Sequence, residues 1–412
     1  MSSADLPFIS LFSGAGGLDI GLEQAGWSCV YAADADAAAT RTLMQNRGFN
    51  LGRGVHAFSE AFIEQSDVRF ASPEDMLSKA GKRRGDVPLL VGGPPCQSWS
   101  SAGHQRGFED PRGRLFEDFV RLAAGLGVRW LLLENVRGLL TARGPDGEPG
   151  SALAYVRGLL LKAGFQTAVS LFNAADYGVP QRRVRLFLVG FRAGDPPPFP
   201  KPSHSRQADP LDDSKLPWIT LGNALTHMPP VEAYEILRPS ERLAEELCKL
   251  KPGQGVKSPG KREVTRPGGH WGYKQGAFVA DLDHSARTVT ANAQQDWIID
   301  FKLGLRRLCP RECATLQGFP RGWHFDGKAA VQYRLIGNAV PPPLARAFGR
   351  ALKRHVNRHA KTEATEFGSL LPLPPSLLSA IRYTMRDERA NGESRRAVSS
   401  RRILRAMSAE LP

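Results

Sequence analysis

Short, nearly continuous apolar runs alternate with helix-like stretches along the first half of the chain. The runs are FISLF (8–12), SCVYAAD (28–34), VPLLVGG (87–93), WLLLEN (130–135) and VRLFLVGF (184–191). Strands of a parallel sheet are buried on both faces, so they read as unbroken runs rich in Val, Leu, Ile and Phe. Between the runs, helices are predicted over 18–25 and 116–126. This alternation predicts an α/β fold with a doubly wound, mostly parallel sheet.

The pattern changes after Arg192, where AGDPPPFPKPSHSRQADP interrupts it. The chain is then rich in turn residues to about 286, and includes KPGQGVKSPGK and TRPGGHWGYKQG. Regular patterning returns afterwards, with a helix predicted in PPPLARAFGRALKRHV. We therefore predict a first domain over 1–192, an irregular module over 193–286, and a return to the first domain over 287–356. A basic, loosely ordered tail, with one short helix at most, is expected over 357–412.

Composition narrows the class of protein. The chain has 412 residues, 42% of them hydrophobic, which is enough for a substantial core. No apolar stretch approaches the roughly 18 residues that cross a bilayer, and the first residues do not resemble a secretory signal. The five cysteines are odd in number and scattered, which favours a reducing cytosol over a disulfide framework. The formal net charge of +14 makes a polyanionic partner such as nucleic acid plausible.

A glycine-rich turn follows the first predicted strand and is the first candidate site. Phe12 precedes the loop 14–17 (GAGG), which opens a helix, and Asp34 ends the next strand. Glycines allow a ligand close to the backbone, and a carboxylate at this place accepts hydrogen bonds from ribose hydroxyls. The GxGxxG spacing is not kept and no GKS or GKT follows, so a cofactor without phosphates, such as S-adenosylmethionine, fits better than a dinucleotide.

A candidate nucleophile and a candidate acid follow the next two strands. Cys96 lies in the polar loop GGPPCQSWS, where two prolines fix the backbone, and Glu134 ends the strand WLLL. In an open α/β sheet, ligands bind beyond the carboxyl ends of the strands. Gly14, Asp34, Cys96 and Glu134 each follow a strand directly, so we expect them to line one rim.

Two further clusters of polar residues are open to different interpretations. Arg183 and Arg185, in QRRVR, have strand spacing and could belong to a site or to a solvated edge. Cys309 and Cys313 are four residues apart, with His324 downstream. Zinc sites usually show tighter pairs and a fourth ligand, so core packing is the favoured role and no metal site is predicted.

Six segments together resemble the ordered motifs of the DNA (cytosine-5)-methyltransferases. They are FISLFSGAGGLDIGLEQAG, GGPPCQSWS, LLLENV, QRRVR, LRRLCPRECATLQGFP and YRLIGNAVPPPLA. The resemblance covers about 8–192 and 286–356, and the module over 193–286 takes the place of the family's variable target-recognition domain. It implies S-adenosylmethionine as methyl donor and C5 of cytosine in DNA as acceptor.

The resemblance also implies residue roles in the reaction. Cys96 would be the covalent nucleophile, Glu134 would protonate the cytosine at N3, and Arg185 would hold its O2. Gln181 and Arg183 would buttress the catalytic loop.

The cofactor residues follow from the same resemblance. Asp34 would bind ribose; the family often has Glu here, which leaves room for Asp36 to share the role. Asp67 would bind the adenine amino group and Asn338 the methionine end. The residues expected to surround the cofactor are Phe12, Gly14, Gly16, Gly17 and Leu115.

Alternative functions remain at this point. A tRNA cytosine-5 methyltransferase would share the PPC and ENV motifs, although the large Pro/Gly-rich insert suits DNA better. A catalytically dead DNA-binding protein would not need Cys96, Glu134 and Arg185 together. The expected setting is a prokaryotic restriction–modification system, with double-stranded DNA as partner and a cognate endonuclease that forms no stable complex. A cytoplasmic, nucleoid-associated monomer without membrane contact is expected.

Overall fold

The computed structural model describes residues 6–95, 115–208, 214–226, 228–257, 276–359 and 362–386. In chain order, the strands are β1 (Leu6–Leu11), β2 (Trp27–Asp34), β3 (Asn50–Gly52), β4 (Val55–His56), β5 (Phe62–Gln65), β6 (Leu89–Gly92), β7 (Trp130–Val136), β8 (Gln166–Asn173), β9 (Val184–Phe191), β10 (His204–Ser205), β11 (Leu216–Pro217), β12 (Gln254–Gly255), β13 (Phe278–Val279), β14 (Trp297–Asp300) and β15 (Gly304–Arg307).

The helices are α1 (Gly17–Glu23), α2 (Ala37–Gln45), α3 (Pro73–Lys79), α4 (Leu115–Leu126), α5 (Ser151–Lys162), α6 (Leu221–Thr226), α7 (Glu241–Cys248), α8 (Pro310–Gln317), α9 (Ala329–Asn338) and α10 (Pro342–Arg358). Short 3₁₀ turns occupy Arg137–Leu140, Ala174–Tyr177 and Ala233–Glu235. The helices predicted over 18–25 and 116–126 correspond to α1 and α4. No helix in the described ranges is long and apolar enough to cross a membrane.

The main sheet has seven strands in the order β5–β2–β1–β6–β7–β9–β8. The pairs from β5 to β7 are parallel, whereas β9 runs antiparallel to both β7 and β8. Alternate residues face two cores: Phe8 packs in one cluster with Phe348 of α10, and Ile9 in another with Phe119 of α4. Helices therefore cover both faces, which confirms the predicted doubly wound, mostly parallel sheet.

Two strands of the main sheet were not predicted. β5 is four residues long, and β8 (QTAVSLFN) contains polar residues and half-buried positions, so neither gives a continuous apolar run. Both lie at the edges of the sheet, where one side of the strand has no neighbouring strand. The apolar-run criterion detects central strands, and this explains why the edges were missed.

A second, smaller sheet has the strand order β12–β13–β14–β15. Its core is small and is formed by Leu247, Leu250, Val279 and Trp297. β12 and β13 belong to the predicted module over 193–286, and β14 and β15 follow it in the chain. The sheet thus continues past residue 286, and the division of the chain into domains stays a prediction.

In the tail, the expected short helix is present, whereas the expected loose order is wrong for residues 362–386. A helix covers 375–386, and Leu377 is buried in the same core as α4 and α5. The side chain of Gln166, in edge strand β8, donates to the Ser369 carbonyl at 2.7 Å and accepts from the Leu371 N–H at 3.0 Å. The segment therefore covers the edge of the main sheet, because its apolar residues find a place in the core.

Candidate active site

The turn after β1 combines left-handed backbone with close packing. Phe12, Gly14 and Gly16 have φ of 54°, 56° and 81°. A Cβ on Gly14 would meet no atom within 4 Å, whereas one on Gly17 would lie 2.2 Å from the carbonyl oxygen of Val340. The loop is therefore open at Gly14 and packed tightly where α1 begins, so glycine is required at both places for different reasons.

The carboxylate of Asp34, at the end of β2, holds this loop. Its Oδ2 accepts a hydrogen bond from the Gly14 N–H at 2.8 Å, and its Oδ1 accepts one from the Asp36 N–H at 2.8 Å. Burial raises the pKa of Asp34, although these two N–H donors act against the rise. Asp36 caps α2 by accepting from the Ala38 N–H at 2.9 Å. Both carboxylates are thus fixed at one rim of the sheet.

A cavity of about 400 Å³ opens at this rim. The residues named from the sequence that line it are Phe12, Gly14, Gly17, Asp34, Asp36, Glu134, Arg185 and Asn338. Pro94 and Pro95, directly before Cys96, also line it, while Cys96 itself lies outside the described residues. Segments far apart in the chain therefore meet around one cavity, as the carboxyl ends of parallel strands should.

Glu134 and Arg185 form a buried ion pair in the cavity wall. They lie on the neighbouring strands β7 and β9, and Nε of Arg185 is 2.9 Å from Oε1 of Glu134. Their side chains are 10% and 12% exposed, respectively. Burial raises the pKa of Glu134, and the positive charges of Arg185 and Arg183 oppose that rise. The pair can offer a carboxyl group and a guanidinium to one planar ligand.

The same strand end is in contact with the segment that precedes Cys96. A Cβ on Gly93 would lie 3.1 Å from Oε2 of Glu134, so the carboxyl group lies close to that backbone. Asn135 donates from its side chain to the Pro94 carbonyl at 2.9 Å. Glu134 and the Pro94–Pro95 segment are therefore held together at the cavity.

Gln181 and Arg183 lie behind the cavity and are fully buried. Gln181 donates to the Leu316 carbonyl at 2.9 Å and accepts from the Val289 N–H at 3.0 Å. Arg183 donates to the Val289 carbonyl at 2.8 Å and the Gly337 carbonyl at 2.6 Å. These bonds join the start of β9 to the segments that carry α8 and Asn338.

Gln317 is a member of this network that sequence reasoning missed. Its side chain accepts from Gln181 at 2.6 Å and donates to the Ile336 carbonyl at 2.6 Å. The glutamine stands in LQGFP, within a block that carried the family resemblance, so that block was the available signal. Its side chain therefore connects Gln181 to the backbone two residues before Asn338.

Three other residues named from the sequence are not among those that line the cavity: Gly16, Asp67 and Leu115. Gly16 precedes α1, and a Cβ there would lie 3.0 Å from Leu43. Both carboxylate oxygens of Asp67 accept bonds from Nε of Arg69 at 3.0 Å. Leu115 begins α4 and is buried in the core that contains Phe119.

The cysteines at the start of α8 are buried side chains. Burial raises the pKa of Cys309 to about 12, and Cys313 is 0% exposed. Within the described ranges, no group of three or more His, Cys, Asp or Glu residues could hold a metal ion.

The cavity fits S-adenosylmethionine by the chemistry of its lining. The guanidinium of Arg185 is paired with Glu134, and that of Arg334 with Asp36. These are the cations among the described lining residues, and each is matched by a carboxylate, so a phosphate would meet no spare positive charge. Asp34 offers acceptors for hydroxyl groups, and Gly14 leaves room above the loop. A nucleoside without phosphates is thus the matching class of cofactor.

Known proteins resemble this chain over most of its length. The family model described as C-5 cytosine-specific DNA methylase matches residues 6–354. The type II methyltransferase M.FnuDI of Fusobacterium nucleatum is 30% identical over 363 residues, which cover 84% of this chain and 94% of the relative. The type II methyltransferase M1.HphI of Haemophilus parahaemolyticus is 31% identical over 361 residues, covering 85% and 88%.

Solved structures share the fold. A protein described as a DNA modification methyltransferase encoded within an E. coli prophage aligns with a TM-score of 0.63 at 21% identity, covering 86% of this chain and all of its own. The Dnmt2 methyltransferase of S. pombe gives a TM-score of 0.59 at 17% identity, covering 85% and 99%.

These similarities decide between the functions left open by the sequence. The matched family acts on DNA, so the tRNA alternative is not favoured. The predicted DNA cytosine-5 methylation and the predicted cofactor are confirmed. The chain belongs to the C-5 cytosine-specific DNA methylase family, and it is a DNA cytosine-5 methyltransferase that uses S-adenosylmethionine as methyl donor.

Proposed function

We propose that the chain methylates cytosine within a specific sequence of double-stranded DNA, through a covalent adduct between Cys96 and an extruded base. The observation that carries the proposal is the buried Glu134–Arg185 pair, which shares a cavity with Asp34 and with Pro95, the neighbour of Cys96. An acid, a hydrogen-bond donor and the segment next to a thiol thus meet at one cavity.

The cofactor side of the cavity is assigned first. S-adenosylmethionine, when bound, supplies an electrophilic methyl group on a sulfonium. Asp34, with Asp36 beside it, accepts hydrogen bonds from ribose hydroxyls, and Asn338 holds the methionine end. The loop residues Phe12, Gly14, Gly16 and Gly17 surround the cofactor. On the family resemblance alone, Asp67 is assigned to the adenine amino group and Leu115 to the surroundings of the cofactor.

The catalytic residues act on the pyrimidine ring. The thiolate of Cys96 forms a bond to C6 while Glu134 gives a proton to N3, so the electron pair of the C5–C6 double bond becomes available at C5. C5 takes the methyl group and then loses its own proton to a base. The electron pair of the broken C5–H bond reforms the C5–C6 double bond and releases the Cys96 thiolate, while N3 returns its proton to Glu134.

The neighbouring residues position these groups. Arg185 donates hydrogen bonds to O2 of the base and keeps Glu134 oriented through their ion pair at 2.9 Å. Gln181 and Arg183 buttress the catalytic residues through the backbone carbonyls behind the cavity. Burial raises the pKa of Glu134, which is the direction that favours a proton donor.

DNA recognition is assigned to the module over 193–286. C5 is inaccessible inside a duplex, so the base leaves the stack at a cost of roughly a few kcal/mol, which phosphate contacts of a protein with net charge +14 help to offset. Because the similar proteins are named type II methyltransferases, we place the chain in a restriction–modification system. It would act as a monomer, without a stable complex with the endonuclease.

The test combines genomic and chemical trapping. Bisulfite sequencing of DNA from cells that express the chain gives the target sequence, and Cys96→Ser should abolish the signal. DNA that carries 5-fluorocytosine in that sequence should cross-link to the protein with cofactor, because fluorine cannot leave C5 as the proton does. Methylation by Cys96→Ser, or a cross-link that maps to another residue, would reject the mechanism.

A further inference from the structure

Arg334 is a cavity residue to which the proposed mechanism gives no role. It lies on α9, one helical turn before Asn338, and both residues line the cavity. Residues four apart share one face of a helix, so Arg334 faces the same ligand space as Asn338. Asp36 also lines the cavity and caps α2, two residues after Asp34.

The guanidinium of Arg334 bonds the carboxylate of Asp36, a residue 298 positions away in the chain. The ion pair joins α9 to the first turn of α2. The charge of Arg334 also acts on Asp34 and opposes the rise in pKa that burial causes there. Without Arg334, the two carboxylates at this rim would face each other with no nearby cation among the lining residues apart from Arg185, which is engaged by Glu134.

We propose that Arg334 is a positioning residue for the cofactor: through its ion pair with Asp36, it holds the carboxylates of Asp36 and its neighbour Asp34 in place on the ribose side of the cavity. The proposal rests on the assignment of Asp34 to the ribose. The ribose is common to S-adenosylmethionine and to the product S-adenosylhomocysteine. Arg334 should therefore contribute equally to the binding of both compounds.

The segment around α9 is tied to α2 at other points too. Asn46 donates to the His324 carbonyl at 2.8 Å and accepts from the His324 N–H at 2.9 Å. Arg41 forms an ion pair with Asp326 at 2.9 Å. These ties remain when Arg334 is removed, and an exposed ion pair adds only about 0–1 kcal/mol to stability. Removal of Arg334 should therefore leave the fold intact.

Arg41→Ala is the matched control. It breaks another arginine–aspartate pair between the same two parts of the chain, and neither Arg41 nor Asp326 lines the cavity. Arg334→Ala should weaken the binding of S-adenosylmethionine and S-adenosylhomocysteine by about tenfold each in calorimetric titrations. Arg334→Lys should recover part of this loss because it keeps the charge. Arg41→Ala should stay within about twofold of the unaltered protein.

Steady-state kinetics distinguish a defect in cofactor positioning from a general loss of activity. For Arg334→Ala, KM for the cofactor should rise about tenfold, whereas kcat at saturating cofactor and KM for DNA stay within about threefold. Asp36→Asn should weaken binding similarly, and combination with Arg334→Ala should add little, because both changes break one interaction.

Three results would overturn the proposal. The first is unchanged cofactor affinity in Arg334→Ala. The second is an equal loss in Arg41→Ala. The third is a loss confined to S-adenosylmethionine, which would place Arg334 at the sulfonium end. Asp34→Ala separates a failure of the proposed function from a failure of this inference. If Asp34→Ala also leaves cofactor affinity unchanged, the assignment of Asp34 to the ribose is wrong. If Asp34→Ala weakens cofactor binding and Arg334→Ala does not, only the role of Arg334 is wrong.

Discussion

The rim of the main sheet and the second sheet both bury an arginine with carboxylates, but the surroundings differ. At the rim, Arg185 bonds Glu134 in the wall of a cavity. In the second sheet, the side chain of Arg306 is 3% exposed and bonds Asp300 at 2.9 Å and Glu312 at 2.7 Å. None of these three residues lines the cavity. The same side chains are therefore open to a ligand where a cavity reaches them, and brace the backbone where none does.

The second sheet needs such bracing because its apolar core is small. Glu312 also accepts a hydrogen bond from the Cys309 N–H at 2.9 Å, so Arg306 connects strand β15 to the start of α8. The carboxylate of Asp300 accepts from the N–H groups of Lys302 and Leu303 at 2.9 and 3.0 Å and thereby orders the turn between β14 and β15. The arginine satisfies both acids at once, which makes it structural.

The largest expected effect comes from the pair at the rim. Glu134→Gln keeps the size and an acceptor for Arg185 but removes the acid. Turnover should fall about 10²- to 10⁴-fold, as expected when a proton donor is lost. The measurement is tritium transfer from labelled cofactor to DNA under single-turnover conditions.

The control for Glu134→Gln is thermal unfolding, which should still show one cooperative transition, so that the loss of turnover does not reflect a loss of the fold. The proposed catalytic role of Glu134 would be wrong if this variant methylates DNA within about tenfold of the normal rate. In that case the pair at the rim would be structural, like Arg306.

The second effect should appear in stability and not in chemistry. Arg306→Ala leaves Asp300 and Glu312 without their cation, so the free energy of unfolding should fall by about 3–5 kcal/mol. Urea denaturation measures the change. Lys302→Ala, at an exposed position of the same hairpin, should stay within about 0.5 kcal/mol. Folded Arg306→Ala should bind S-adenosylmethionine normally; a loss of affinity would show that the second sheet takes part in the cofactor site.

The sequence predicts residues that follow buried strands better than residues that are held by distant contacts. Gly14, Asp34 and Glu134 could be placed together because each follows a buried strand, and parallel strands end at one rim. Local patterning does not place Gln317 and Arg334 there, because their partners are a distant glutamine, backbone carbonyls and an aspartate almost 300 residues away. The resemblance of their segments to the family was the available signal. The tail was misjudged because composition does not show that Leu377 fills a core position.

The smallest effect concerns buried acids of a third kind. Asp19 and Glu23, in α1, are 0% and 4% exposed, and in the described part of the chain neither forms an ion pair. Burial raises the pKa of Asp19 from 3.8 to about 7 and that of Glu23 from 4.5 to about 8. The folded state therefore holds protons that the unfolded chain has already released, and the contribution of these two groups to stability should be largest in acid.

Because the folded pKa lies above the unfolded one for both groups, their contribution is complete below about pH 4 and is lost as pH rises to about 7 for Asp19 and about 8 for Glu23. Within that window, each group should lower the free energy of unfolding by up to about 1.4 kcal/mol per pH unit. Urea denaturation across the window should give a shallower slope for Asp19→Asn, and an unchanged slope for Glu60→Gln at an exposed site. An Asp19→Asn slope equal to that of the unaltered protein would mean that this carboxyl is already ionised in the folded state. A cation would then have to balance it, as Arg185 balances Glu134 at the rim.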